Sequence, residues 1–237
     1  MSLYSGFAEY YEQIFPFREE VYDFLKGCLP ERRSLKILDI GCGPGRYCSR
    51  FAADGVAATG LDLDQEMIAE ARTRNPELEF HCRNMERAGS LGGGFHGIFC
   101  IGNVAAHLPT HRFAALLGQL CRMVEPGGTW VMQVVNWDRI LHQGKKEFPV
   151  KPFTGQGNEF RRSYPEISEE QVTFRVELVL EGEVRFTEET TLHPVRSEPL
   201  VELHREAGFR RTELFADFSG KRFDPLEGGG MVLVARR

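Results

Sequence analysis

The run Leu38-Asp39-Ile40-Gly41-Cys42-Gly43-Pro44-Gly45 places an acid and three glycines at the end of a short apolar segment, residues 36–40. Glycine lets a backbone turn sharply and approach a ligand with no Cβ in the way. A helix starting at Arg46 would aim its free N–H groups at an anionic or carboxylate-bearing ligand. Asp62 stands twenty-one residues after Gly41, at the end of a second apolar segment, residues 57–61. A carboxylate there can accept from both hydroxyls of a ribose. Dinucleotide turns read G-x-G-x-x-G, and counted from Gly41 the third glycine's place holds Arg46. The spacing here is G-x-G-x-G, which argues against a nicotinamide dinucleotide.

Such residues need a scaffold that gathers strand ends. After strand 36–40 come a helix over 46–53 closed by Gly55, strand 57–61, and a helix capped by Asp64 that stops at Asn75-Pro76. Residues 78–82 and 96–101 read as further strands. Thr110 caps a helix whose Phe113, Leu116, Leu117, Leu120 and Val124 share one face; Pro126-Gly127-Gly128 ends it before strand 129–135. With strands near 210–218 and 231–235, this rhythm predicts an α/β fold: a Rossmann-like, seven-stranded, mostly parallel sheet with helices on both faces. Residues 1–33, rich in aromatics (Tyr4, Phe7, Tyr10, Tyr11, Phe15, Phe17), read as an N-terminal helical lid broken at Pro16. The α/β domain then covers 34–237. Within it, 145–196 alternates polar and apolar residues, clearest at Val172, Phe174, Val176, Leu178 and Leu180, and predicts an inserted antiparallel β-sheet with a turn at Glu181-Gly182. Ser197 caps the last helix and Gly208 stops it.

The segment LDIGCGPG resembles the first motif of the class I S-adenosylmethionine-dependent methyltransferases. Leu61-Asp62-Leu63-Asp64, Arg83-Asn84-Met85, Ile101-Gly102-Asn103 and Val124-Glu125-Pro126-Gly127-Gly128 follow in the family's order over about residues 35–136. The resemblance implies S-adenosyl-L-methionine as cofactor and S-adenosyl-L-homocysteine as product. It implies a cofactor site of Tyr11, Asp39, Gly41, Cys42, Gly43, Arg46, Asp62, Leu63, Met67, Asn84, Met85, Ile101 and Gly102, with Asp62 on the ribose and Leu63 over the adenine. The family usually has Asp where Asn84 stands; the Asn84 carbonyl can accept the same bond without charge. Asp39 either meets the cofactor ammonium or caps nearby amides, and Arg46 either meets the cofactor carboxylate or is a solvated first-turn residue. Tyr10 and Tyr11 are rivals for the family's cofactor tyrosine, which Asp usually follows; here Glu12 does.

The resemblance further implies a small-molecule acceptor methylated at N or O by in-line displacement. The insertion is similar to the antiparallel sheet that small-molecule N-methyltransferases carry over the active-site mouth. On it, Arg161, Arg162 and Tyr164 are candidates for an anionic substrate group. His107 is the candidate general base, with a surface histidine before Pro109 as the other reading. Two other functions stay open: a non-catalytic S-adenosylmethionine-binding protein and a nucleic-acid methyltransferase. Charge argues against the latter, because the chain carries −5 and residues 145–196 hold eight Lys/Arg against ten Asp/Glu. No apolar stretch approaches the roughly 20 residues of a membrane span, and the first residues lack a secretory pattern, so the expected location is cytoplasmic, without a membrane partner, as monomer or homodimer. Cys28, Cys42, Cys48, Cys82, Cys100 and Cys121 form no C-x-x-C pair and are read as reduced, with no metal.

Overall fold

The computed structural model describes residues 10–144 and 148–237. The lid residues 1–9, with Tyr4 and Phe7, and residues 145–147 at the start of the insertion lie outside the described residues. In chain order the elements are α1 (Tyr11–Ile14), α2 (Glu19–Gly27), β1 (Lys36–Ile40), α3 (Arg46–Ala53), β2 (Ala57–Asp62), α4 (Gln65–Arg74), β3 (Glu79–Cys82), β4 (Phe95–Cys100), α5 (Thr110–Met123), β5 (Val124–Val135) and α6 (Trp137–Gln143). Then follow β6 (Lys151–Pro152), β7 (Glu159–Ile167), β8 (Val172–Leu180), β9 (Glu183–Leu192), α7 (Ser197–Glu206), β10 (Arg211–Phe215) and β11 (Gly230–Arg236). Single 3₁₀ segments, Met85–Leu91 and Val104–His107, follow β3 and β4.

The main sheet has seven strands in the order β10-β11-β5-β4-β1-β2-β3, and only β11 runs against its neighbours. The chain builds outward from β1 to β2 and β3, then returns to β4 on the other side of β1. That reversal opens a crevice at the carboxyl ends of β1 and β4, where open α/β sheets bind ligands. Successive strand residues point to opposite faces. Ile37, Phe99, Val131 and Val232 join one apolar cluster with Tyr22, Phe51 and Ile68. Their neighbours Leu38, Ile98, Trp130 and Leu233 join the other, with Phe113, Leu117, Leu120 and Leu200. Burial of each such side chain stabilises the fold by about 1.5–3 kcal/mol, which is why these strands read as continuous apolar runs.

The insertion is a second sheet, β6-β7-β8-β9, all antiparallel. Glu181 and Gly182, at φ 54° and 83°, form the two-residue turn between β8 and β9, a conformation whose twist suits a hairpin. The sheet is no detachable flap. Tyr164, Val172 and Leu192 belong to the main core, while Phe160, Val176 and Leu178 pack on Ile14 of α1.

Several local expectations are corrected. Thr110 and Ser197 are first helical residues, after Pro109 and Arg196, and neither caps with its side chain. The Ser197 N–H is satisfied by Asp138 Oδ2 at 3.0 Å. The helix α6 was not anticipated; Asn136 caps it by accepting from the Arg139 N–H at 3.1 Å, and Gly144 closes it at φ 59°. Cys82 is exposed at the end of edge strand β3; the other five thiols are buried. None of the described helices is long and apolar enough to cross a membrane.

One polar pair inside the core sets a pH dependence. His204 of α7 is fully buried; its Nε2 accepts from Trp130 Nε1 at 2.9 Å and its Nδ1 lies 2.7 Å from the Leu200 carbonyl. With Nε2 accepting, Nδ1 carries the proton and the ring is neutral, and burial holds its pKa down to about 4. The unfolded state therefore takes up a proton between pH 6.5 and 4 that the folded state refuses, and stability falls as pH falls through that window. We predict that His204→Asn costs about 1–3 kcal/mol at pH 7.5, through the orphaned Trp130 N–H. That penalty should shrink by up to about 1.4 kcal/mol per pH unit below 6.5. Urea unfolding at several pH values measures it, and a pH-independent penalty would show that His204 is not buried as the neutral ring.

Candidate active site

The glycine run forms a turn that only glycine can make. Gly41, Gly43 and Gly45 all have positive φ, at 77°, 52° and 78°. A Cβ on Gly41 would stand 2.6 Å from Val104, and one on Gly45 2.6 Å from the Phe80 ring. The turn is tied to β2 at three points, and Asp62 also holds the start of α4. The N–H groups of Gly41 and Cys42 donate to the Leu61 carbonyl at 2.7 and 3.2 Å, and Asp62 accepts from Gly43 N at 2.8 Å and from Asp64 N at 2.9 Å. Each Asp62 oxygen thus holds one backbone donor and keeps lone-pair capacity for a ligand. Burial raises the Asp62 pKa, and the Asp64 and Gly43 N–H groups oppose that shift.

Two cavities meet over this turn. The first, about 350 Å³, is bounded by Asp62, Leu63, Met67, Asn84, Met85 and His107, with Glu188 and Thr190 of β9 at its rim. The second, about 430 Å³, is bounded by Asp39, Cys42, Arg46, Gln133, Lys151 and Arg162 and by rings of α1 and its surroundings. Tyr11, Gly41, Ile101 and Gly102 wall both. All thirteen residues expected to hold a cofactor border one cavity or the other.

Their individual roles are sharper than the spacing indicated. Tyr11 lies over the turn, its hydroxyl 3.4 Å from where a Gly43 Cβ would be, whereas Tyr10 packs on Phe153 of the insertion with ring centroids 5.3 Å apart. Arg46 is ion-paired with Glu12, which also holds Arg74, so it clamps α1 to the α3–α4 side of the site. Burial would raise the Glu12 carboxyl, but the Arg46 and Arg74 hydrogen bonds hold it below its usual range. Asn84 caps the Met85–Leu91 turn, accepting from Glu86 N at 2.9 Å, and still borders the first cavity. Leu63 is 66% exposed at the cavity lip, an apolar surface without a protein cover. His107 is half-buried on the turn after β4, and burial, then His193, lower its pKa, which favours the neutral ring.

The three insertion residues separate. Arg162 borders the second cavity; Arg161, one residue away, points outward and pairs with Glu159 at 2.7 Å. Tyr164 is buried among Trp137, Phe148 and Phe174 and borders neither cavity. Three cavity residues escaped sequence reading. Gln133 accepts from Gly102 N at 2.8 Å, and its signal was a lone polar residue in the apolar run of β5. Lys151 and Glu188 had no local signal, since only the second sheet's packing brings them to the site.

Residues 37–128 match the profile of a methyltransferase domain. Glycine N-methyltransferase from Rattus norvegicus is 31% identical over 140 residues, 51% of this chain and 47% of that protein. The dTDP-4-amino-2,3,4,6-tetradeoxy-D-glucose N,N-dimethyltransferase of Saccharopolyspora spinosa is 33% identical over 115 residues, 48% of this chain and 45% of that protein. The match spans about half the length of these relatives. An S-adenosylmethionine-dependent methyltransferase from Clostridium acetobutylicum superimposes over 99% of both chains with a TM-score of 0.80 at 15% identity, a likeness of fold. Gly127 and Gly128 lie at the amino end of β5, away from both cavities; the Gly127 N–H donates to the Arg237 carbonyl at 3.1 Å, a structural turn.

Asp39 lines the second cavity, 2% exposed, and accepts a long hydrogen bond from the Cys48 thiol at 4.0 Å. Burial, then the nearby Asp62 charge, push its pKa up to about 7. A carboxyl raised from an ordinary 3.8 favours the fold at low pH and weighs against it as pH rises towards 7. We predict that Asp39→Asn stabilises the ligand-free protein at pH 8, by about 1 kcal/mol or more, and that the gain fades towards pH 4. Denaturant unfolding at both pH values tests this; equal gains would mean that Asp39 is an ordinary ionised carboxylate.

Proposed function

We propose that the protein is an S-adenosylmethionine-dependent methyltransferase that transfers a methyl group to an N or O nucleophile of a small molecule and releases S-adenosylhomocysteine. The observation that carries this is the doubly anchored Asp62 carboxylate beside an apolar slot, with a second cavity joined to the first at Gly41, Ile101 and Gly102. The residues present fit this cofactor. Asp62 would take the ribose hydroxyls, Leu63, Met67 and Met85 the faces of the adenine, Asn84 its edge, and Asp39 the ammonium end. When bound, the cofactor supplies an electrophilic methyl group on a sulfonium.

The chain's own part is positioning. Tyr11, Ile101 and Gly102 wall the place where the two cavities meet, so an acceptor in the second cavity is held against the first. Alignment of that kind lowers a barrier by several kcal/mol without a covalent intermediate. The neutral His107 ring can take a proton from an acceptor that must lose one. The second cavity, about 430 Å³ and lined by Tyr11 of α1 and by Lys151 and Arg162 of the insertion, suits a small molecule better than a polymer.

Calorimetry should show binding of S-adenosylmethionine and S-adenosylhomocysteine and no comparable binding of NAD. Asp62→Asn should weaken both nucleosides about tenfold or more, about 1.4 kcal/mol, as charge-assisted bonds are lost, with the melting temperature within a few degrees. Tighter NAD binding, or a variant Kd within threefold of the parent's, sinks the reading. Tight cofactor binding with no turnover across a broad panel of amines and hydroxy compounds would instead mark a binding protein.

A further inference from the structure

We infer that Lys151 and Arg162 form an anion clamp in the second cavity, which holds a carboxylate or phosphate group of the methyl acceptor. This rests on the methyl-transfer reading and adds to it the chemical class of the acceptor: an amine or hydroxy compound that also bears an oxyanion.

Four cations border the second cavity: Arg18, Arg46, Lys151 and Arg162. Arg46 is committed to Glu12 and Arg18 to Glu20. The other two have no carboxylate partner among the described residues. Lys151 Nζ donates only to the Ile14 carbonyl at 3.2 Å, leaving two of its three donors. Among the described residues Arg162 makes one long bond, Nη2 to the Pro149 carbonyl at 3.4 Å, and its buried Nε finds no acceptor. Folded proteins rarely leave such a donor unmet, and an absent ligand is a standard reason for one.

Each cation is also held against an aromatic ring. Lys151 Nζ stands 4.6 Å from the centre of the Phe15 ring, and the Arg162 guanidinium 5.1 Å from that of Phe148. Burial, then the charges of Arg162 and Arg18, bring Lys151 down to about 8, and burial lowers Arg162 as well. An anion between them would relieve that repulsion. We assign the anion to the acceptor and not to the cofactor's own carboxylate, a choice that the 5′-methylthioadenosine comparison below decides. Gln133, which shares the cavity with them, stands on β5, three strands from Asp62 on β2 in the order β2-β1-β4-β5, or about 14 Å at ordinary strand spacing. Phe15, Phe17 and Phe218 line the same cavity, so the oxyanion would come on an apolar or aromatic body.

The test uses the whole protein loaded with S-adenosylhomocysteine and titrated calorimetrically with benzoate, phenyl phosphate and benzamide. At least one anion should bind at least tenfold more tightly than the neutral amide, and the stronger anion identifies carboxylate or phosphate. Arg162→Gln and Lys151→Met should each weaken that anion at least tenfold while the S-adenosylhomocysteine Kd stays within threefold. Lys151→Met, which keeps the stem on Phe15, carries the test alone if Arg162→Gln does not fold. The clamp is refuted if the anions bind no better than benzamide, or equally to parent and variants. It is refuted equally if the variants weaken S-adenosylhomocysteine tenfold but leave 5′-methylthioadenosine unchanged, because the pair then holds the cofactor's own carboxylate. If the parent binds no S-adenosylhomocysteine, the methyl-transfer reading fails, and the same titrations on ligand-free protein still decide whether the clamp exists.

Discussion

The Asp62 carboxylate is the joint on which the site depends. One oxygen holds the Gly43 N–H and the other the Asp64 N–H, so a single side chain fixes the glycine turn after β1 and the start of α4 after β2. Asp64 in turn caps α4 by accepting from Glu66 N at 2.8 Å and Met67 N at 3.1 Å, which places Met67 under the first cavity. Because these donors are backbone groups, the carboxylate is oriented before any ligand arrives. Preorganised acceptors of that kind lose little freedom on binding.

Charge is sorted across the crevice. Acids lie at the floor, Asp39 and Asp62, where burial raises both. Cations enter from the second sheet and from α3, and only some are neutralised by the protein itself. The Glu12–Arg46–Arg74 group shows the neutralised case: one carboxylate from α1 bridges α3 and α4 and seats Tyr11 above the glycines. Its side chains are about a third exposed or more, so screening by water limits its worth to stability. Its value is in holding the short α1, four residues long and too short to persist alone, against the site. The insertion packs Phe160, Val176 and Leu178 on Ile14 of α1, so α1 and the second sheet form one apolar unit beside the crevice.

Much of this was legible in the residues. The βα rhythm, the seven strands, the hairpin turn at Glu181-Gly182 and the Asp64 cap follow from local patterns: apolar period, glycine where φ must be positive, and an acid before a helix. Boundaries slipped where a competing partner won. Ser197 does not cap because Asp138, distant in sequence, already satisfies that N–H. The helix α6 was hidden by its brevity, although Asn136 and Gly144 bracket it with ordinary stop and start signals.

The sequence by itself determined the parallel sheet, the glycine turn and the acid at the end of β2, because each rests on contacts between residues close along the chain or on one repeating period. Only the tertiary structure decided which neighbouring candidates reach the site. Arg161 and Arg162 are identical in type and adjacent, yet strand alternation within a packed sheet sends one to solvent and the other to the cavity. Tyr10 and Tyr11 divide the same way, between Phe153 and the glycine turn. Lys151 and Glu188 join Asp39, Gln133 and His107 only because two sheets dock, and that docking is set by apolar packing of the second sheet on α1 and on the main core.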